Sequence, residues 1–591
     1  MSSSNAEKAP SKEAKESPFK AFVAKLRKRR IIETLAAFIA GGWLIIEFVD
    51  RILVAHYHFP DKTIDITFIT LLCALICTLL WRWFSGREKP RKFKLELVLI
   101  PLVALIAVLL DLNLLLHLKE PESDTIPASK WKNSIAVLPF DNISPEEGQD
   151  YFCDGLTDEL ITRLSNIKDL KVIAKTSAFS FKGKETDIRD IGKKLNVTTV
   201  LEGGVRKAGN KLRITAQLIN VSDGSHIWSD SYDKELTDVF AIQDEIALAV
   251  TNKLKITLLG EEKAKLTKRP TEDFEAYRLY LLGRNFWNKR NEADLIKSIE
   301  YFEKAIETDP NYAPAYAGLG DTYTVLGNNG LWPTEKAYPK AKVAALKALE
   351  IDDKLAGAHA TLANYKYDYE WDFIGAEKEF KLAIELNPGY APAHQFYALL
   401  LSTLGRHEEA MREIKIARNL DPLSPRINAN VGLHAYLTRR YDQAIEELNK
   451  ALEVDPNHLA TLVWLGWAYE AMGKYEEAIK FHFRYIEISG RPKDRDFYIA
   501  GCYALMGKRD EAQKMLNNMI EYAKGNYITS VGIASVFSAL GEKDQAFAWL
   551  EKASRERDPF LLMFLKALHR FDPLRSDPRY AALLKNVGLD K

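Results

Sequence analysis

A pattern that returns every 34 residues constrains this chain more than any other feature. The dipeptides Asn387-Pro388, Asp421-Pro422 and Asp455-Pro456 stand 34 apart, and Asp309-Pro310 and Asp352-Asp353 extend the series upstream. Each of the three Pro dipeptides at 387–456 follows the same stripe: Ala376, Phe380, Ala383; then Ala410, Ile414, Ala417; then Ala444, Leu448, Ala451. Spacings of four and three place those side chains on one helix face, and the proline ends the helix because it has no backbone N–H to donate. Twelve residues ahead of an alanine sits a further small residue, Ala398 before Ala410, Gly432 before Ala444, Gly466 before Ala478. Two helices must approach closely there.

This small–aromatic–small pattern in a helix pair resembles the tetratricopeptide repeat. Ser298, Phe302 and Ala305 mark a first unit, and Ala341, Ala345 and Ala348 a second, stretched by about nine residues around Asn328–Lys340. Beyond Pro456 the stripe weakens at Ala478, His482, Tyr485 and at Ala512, Leu516, Met519, then returns at Ala546, Leu550, Ala553. About eight units result, atypical at both ends as capping units are. The resemblance implies a superhelix whose first helices line a concave face. With the small residue as position 8 and the alanine as position 20, positions 5, 9, 12 and 13 face inward. They give a partner groove of Tyr367, Leu433, Tyr436, Val463, Trp467 and Phe497, with one extra residue allowed before Ala376. Trp464, at position 6, is expected in the core instead. An apolar, aromatic strip suits an extended or helical segment of another protein.

A length of 591 residues predicts several domains, and a net charge of +1 gives no bulk field to attract nucleic acid. The four cysteines show no paired metal spacing, and Cys153 and Cys502 fall in different domains.

The first 30 residues read as a basic, disordered tail. Three apolar runs follow, Leu35–Val54, Ile66–Phe84 and Leu97–Leu118, each near the roughly 20 residues a bilayer-spanning helix needs. Glu47, Asp50 and Arg51 weaken the first. Arg87, Lys89, Arg91, Lys92 and Lys94 against a lone Lys62 orient the runs with the tail in the cytoplasm. The expectation is a multi-pass inner-membrane protein, with the lipid bilayer as one partner and everything after about residue 120 periplasmic or extracellular.

After a linker at 120–133, residues 134–260 predict a small α/β domain: a strand at Ile135–Phe140, a helix at Tyr151–Ile167, a strand at Lys171–Ala174 and a helix at Ile188–Leu195. A hairpin turning at Gly209-Asn210, a strand at His226–Tyr232 and a closing helix at Asp238–Leu254 complete it. The strings Tyr151-Phe-Cys-Asp-Gly-Leu-Thr-Asp-Glu-Leu160, Phe179-Ser-Phe-Lys182, Leu201-Glu-Gly-Gly-Val-Arg206 and Arg213-Ile-Thr-Ala-Gln-Leu218 look like the TolB amino-terminal-like domain, related to FlgO. That resemblance implies an envelope-facing interaction module, which family members join to tetratricopeptide repeats.

The expected architecture is thus multidomain: transmembrane helices within 31–119, the α/β domain, an all-α repeat superhelix at 270–560 and a capping segment at 561–591. No catalytic constellation is legible. Leu201-Glu-Gly-Gly204 lacks the Lys-Ser/Thr of a phosphate loop, and its glycines are expected to form a bulge or turn. His56 and His58 lack further metal ligands. Asp154, Asp158 and Glu159 are expected to favour the dipole of a helix start. No enzyme, cofactor, metal or nucleic-acid partner is expected. The reading is a membrane-anchored, non-catalytic scaffold binding a protein or peptide, with a ligand-sensing regulatory protein as the alternative.

Overall fold

The computed structural model describes Leu26, residues 31–48, 71, 74–79, 131–144, 148–258, 260–266, 268–490 and 496–590. The chain divides into two compact units, Met1–Thr125 and Ile126–Lys591.

In the first unit the apolar residues form a helix at Ile31–Phe48 and a short helical piece at 74–79. The transmembrane expectation is overturned here, for among the described residues no helix is long and apolar enough to cross a membrane. The helix of 18 residues carries Glu33 and Glu47 near its two ends. Eighteen residues at 1.5 Å each reach only about 27 Å, short of a hydrocarbon core of about 30 Å. The multi-pass inner-membrane placement falls with it, and nothing among the described residues supports the bilayer as a partner. Residues 49–54 of the first run, much of the second, all of the third, the charged loops and His56 and His58 lie outside the described residues.

The second unit opens on a mixed sheet. Strands β1 (Asn133–Val137), β2 (Asp141–Asn142), β3 (Leu170–Val172), β4 (Thr199–Ala208), β5 (Lys211–Asn220) and β6 (His226–Glu235) order as β3-β1-β4-β5-β6, with β2 beside β4. β1 lies parallel to both neighbours, and its run Ile135, Ala136, Val137 is fully buried, as a strand covered on both faces requires. β4, β5 and β6 are antiparallel, and β5 alternates with Leu212, Ile214, Ala216 and Leu218 inward. Gly209, at φ 59°, turns the hairpin. The glycines of β4 form neither bulge nor turn, since the β4–β5 register runs unbroken through them. A Cβ on Gly203 would meet the Thr215 carbonyl oxygen at 2.1 Å and the Phe140 ring at 2.8 Å, so the glycine admits that ring against the sheet. Helices Asp150–Ser165 and Val239–Lys253 pack against each other beside the sheet.

Eight helix pairs follow, from Phe274–Asn288 with Glu292–Thr308 to Ser530–Ala539 with Lys543–Arg555. The helices cross at the small residues: a Cβ on Gly432 would come within 2.5 Å of Leu448. Each pair turns through one residue with positive φ, namely Arg290, Gly330, Trp371, Gly405, Arg439, Gly473, Gly507 and Gly541. Only glycine adopts that conformation freely, and an L side chain there costs about 1–2 kcal/mol. The extra residue ahead of Ala376 is absorbed by a π-helical stretch, Tyr365–Glu370, in which one more residue fits per turn.

The repeat punctuation also docks the α/β domain. At Asp309, Asp352, Asn387 and Asp455 the side-chain oxygen accepts the backbone N–H two residues on, bridging the proline or its substitute. Asp421 breaks this rule. Its carboxylate instead accepts from the backbone N–H of Ser177 at 2.9 Å and from the Ser177 hydroxyl at 2.5 Å. The neighbouring turns reach the same side: Asn387 Nδ2 donates to Ser165 Oγ at 2.9 Å, Lys268 pairs with Asp352 at 2.7 Å, and the Thr271 hydroxyl donates to Asp309. Four successive turns thereby fix the sheet domain and its linker on the superhelix.

Candidate functional site

A cavity of about 1720 Å³ runs between the α/β domain and the inner face of the superhelix. First helices of the repeats supply much of its wall because their groove positions point inward at 34-residue steps. Tyr367, Leu433, Val463 and Trp467 line it, as does Trp464. Tyr436 and Phe497 do not; both are buried beneath the C-terminal segment.

That segment fills one end of the concave face. It comprises a short helix at Leu561–Leu565, a 3-10 turn at His569–Leu574 and a helix at Pro578–Asn586. Arg570 is its anchor, with its side chain and that of Glu470 both fully enclosed. The guanidinium donates to both Glu470 oxygens, to the Phe497 and Tyr498 carbonyls at 2.8 Å and to Ser535 Oγ at 3.2 Å. Gly501 makes room, since a Cβ there would stand 1.9 Å from the guanidinium carbon. His569 Nε2 lies 2.7 Å from Glu470, and its Nδ1 lies 3.1 Å from the Tyr436 hydroxyl. Arg439 pairs with Asp572, Arg557 stacks 3.6 Å over Trp371, and the Phe564 ring meets Trp467 edge-on at 4.5 Å. Burial alone would raise the Glu470 pKa, but Arg570 and His569 hold it well below the usual carboxylate range.

Glu470 also belongs to a buried trio with His482 and Cys502, whose ligand-type atoms lie within 4.8 Å of one another. Their chemistry does not fit a metal. Arg570 already supplies the cation that Glu470 needs, and the Cys502 thiol donates to the same carboxylate at 2.9 Å with its pKa pushed up by burial. Burial likewise takes the His482 pKa down to about 3, so the ring is neutral and fills the place of the repeat's aromatic, stacked on Tyr498 at 5.0 Å. Cys153 and Cys502 are both free.

The other end of the cavity is polar. Asp158, from helix Asp150–Ser165, pairs with Lys175 at 3.0 Å and with Arg284 of the first repeat at 3.5 Å. Asp154, Asp158 and Glu159 do not mark the helix start, which lies at Asp150; Asp154 pairs with Lys182 within the sheet domain, and Asp158 and Glu159 line the cavity. Burial raises the Asp158 pKa and the two cations more than reverse it, whereas for Glu159 burial wins and the pKa is raised. Arg290 and Arg426 also line this end, and among the described residues neither has a carboxylate ion pair. Six lining residues leave a buried polar atom without a partner: Arg163 Nη2, Arg284 Nε, Trp287 Nε1, Asn364 Oδ1, Asn430 Nδ2 and Trp467 Nε1. Buried polar atoms are nearly always satisfied, so each of these is open to a water or to a group that the cavity receives. Sequence reasoning missed this end, because Arg426 lies 136 residues or more from Arg284 and Arg290, and Arg290 sits in a turn that glycine usually holds.

Comparison with known proteins supports the repeats directly: models described as "Tetratricopeptide repeat" match residues 279–312 and 435–486. Residues 131–248 match the second domain of the HilA/YgeH-like transcriptional regulators, and it is this match, not one to a TolB amino-terminal domain, that the segment returns. "Putative adenylate cyclase 3" of Rhizobium meliloti is 38% identical over 238 residues, 40% of this chain and 40% of that protein. The transcriptional regulator HilA of Salmonella typhimurium is 27% identical over 144 residues, 24% of this chain and 26% of that one. The chain thus matches less than half the length of either relative. Among solved structures, pilF of Pseudomonas aeruginosa (24% identity, 35% of this chain and 97% of that one, TM-score 0.27) and a TPR protein of Thermus thermophilus (21%, 33% and 98%, TM-score 0.28) overlap with the chain. No argument about function rests on those two overlaps.

Proposed function

We propose that this protein is a non-catalytic interaction scaffold that takes a segment of another polypeptide into the cavity between its superhelix and its α/β domain. One observation carries the reading. Tyr367, Leu433, Val463 and Trp467 line one cavity together with the unpartnered amide atoms of Asn364 and Asn430. An apolar strip flanked by free amide groups matches an extended chain, which offers side chains to the first and backbone N–H and C=O to the second. The test is site-specific photocrosslinking in cells from Tyr367 and Val463, with the exposed Ile374 as control. Discrete polypeptide adducts from the two cavity positions and none from Ile374 support the reading. Adducts from Ile374 alone, or from no position, sink it.

A second reading has its own support. Both domains wall the cavity, so occupancy bears on how they dock, and relatives named as a regulator and as a cyclase carry a matching segment. In this reading the α/β domain is a regulatory module that senses what the cavity holds. Hydrogen exchange at Ser177 and Leu423, whose backbone N–H groups donate across the docking contact, would slow on occupancy if so. Unchanged exchange at saturation counts against it.

A further inference from the structure

We propose that the polar end of the cavity is an oxyanion subsite, in which the guanidinium groups of Arg290 and Arg426 hold a carboxylate or phosphate group of the molecule the cavity receives. The proposal deepens the scaffold reading and rests on it for the route of entry, although the subsite itself is testable with small anions.

Three independent observations converge there. The first is conformational. Of the eight equivalent turn residues, five are glycine and three are not: Arg290, Trp371 and Arg439. Two of these exceptions have evident tasks, because Trp371 stacks under Arg557 and Arg439 pairs with Asp572, both holding the chain's C-terminal part. Arg290 accepts the same backbone cost, yet its guanidinium lies only over the Trp287 ring at 3.5 Å and opens onto the cavity. A strained backbone retained for a side chain that forms no ion pair among the described residues marks a functional position.

The second observation is charge. Arg284 is engaged by Asp158, which Lys175 already faces. The carboxylate acting on Arg290 is Asp321, which also accepts from the Thr361 hydroxyl at 2.8 Å and whose pKa burial raises. Arg426 donates to Asn329 Oδ1 at 3.1 Å, its one side-chain hydrogen bond among the described residues. Arg290 and Arg426 act electrostatically on each other along this wall of the cavity, and both residues are exposed. Asp158 and Asp321 face Arg284 and Arg290, whereas Arg426 has no carboxylate ion pair among the described residues, and His458 beside it is held neutral.

The third is hydrogen bonding. Trp287 Nε1, Arg284 Nε and Asn430 Nδ2 are buried donors without acceptors, and Asn430 is 1% exposed. Arg426 and Asn430 are four apart on helix Pro425–Leu437, so both sit on the face turned to the cavity. Several unpartnered donors and the Arg290 and Arg426 guanidinium groups lining one cavity are what a multidentate oxyanion satisfies.

The experiment titrates the full chain at low salt with inorganic phosphate, tri-glutamate and tri-glutamine, reading affinity by calorimetry and stability by melting. Phosphate or tri-glutamate should bind, tri-glutamine should not, and Arg290→Gly and Arg426→Gln should each weaken binding tenfold or more. Phosphate binding without tri-glutamate identifies a phosphate-bearing ligand; the converse identifies a carboxylate. Arg290→Gly should melt no lower than the parent, because five sister turns use glycine at that place. Unchanged affinity in both variants, or an Arg290→Gly protein that melts several degrees lower, overturns the subsite. Tri-glutamine bound as tightly as tri-glutamate overturns it too, while leaving the scaffold reading intact. Phosphate bound through Arg290 with no crosslinked polypeptide at Tyr367 or Val463 does the reverse.

Discussion

The two ends of the concave face are built from the same repeat and have opposite fates. Toward the C-terminus, positions 9 and 12 of the sixth pair are Trp467 and Glu470, and the chain's own Phe564 and Arg570 cover them. Toward the N-terminus, Arg290, Asn364, Arg426 and Asn430 keep donors or acceptors turned to open space. Groove positions thus do not announce whether they bind a partner or the chain itself. What separates the ends is satisfaction: every charge of the Glu470–Arg570 pair is met, whereas Arg290 and Arg426 lack carboxylate ion pairs among the described residues.

The sharpest way to break this contrast is to empty the filled end. Arg570→Ala leaves Glu470 buried and unpaired, and should cost about 3–5 kcal/mol in denaturant unfolding. The paired change Glu470→Leu with Arg570→Met should recover most of that loss, since apolar groups of similar volume replace a buried pair with little penalty. A single change that unfolds nothing would show the segment to be loosely held.

Next comes Trp467→Ala. As a pure groove residue Trp467 would be removable with little effect on melting, in contrast to Trp464. The structure removes that contrast, because Trp467 is 5% exposed and packs on Tyr436, Tyr498 and Phe564. The expected loss is about 3 kcal/mol, at the low end for such a truncation because the ring also borders the cavity.

Asp421 tests the docking of the sheet domain. Burial pushes its pKa up to about 6, above the unfolded value near 3.8, so the folded chain holds the proton more tightly than the unfolded one. Its contribution is therefore fully present below about pH 4 and is lost as pH rises through 6, an effect of about 1–3 kcal/mol. Asp421→Asn should flatten the stability curve across that window in melts run at several pH values. An unaltered slope would assign the dependence to other groups.

Smallest is Arg290→Gly, expected to stabilise the chain by up to about 1 kcal/mol by relieving the turn conformation. A measured loss would mean that the Trp287 contact outweighs the strain.

Sequence alone determined the helix pairs. A 34-residue return of small, aromatic and proline positions leaves a chain one way to bury its stripes, and even the extra residue before Ala376 was legible, surfacing as the π-helical Tyr365–Glu370. The alternation around Gly209 likewise sufficed for the β4–β5 hairpin, because period-two burial is a local property. Membrane spanning was not borne out, for among the described residues no helix is long and apolar enough to cross a membrane. The meeting of Ser177 with Asp421, 244 residues apart, was decided only by tertiary structure, and so was that of Glu470 with Arg570, 100 apart. No local pattern encodes such pairs. They are set by how far the superhelix curls, and that curvature accumulates from small packing rotations at every one of its helix junctions.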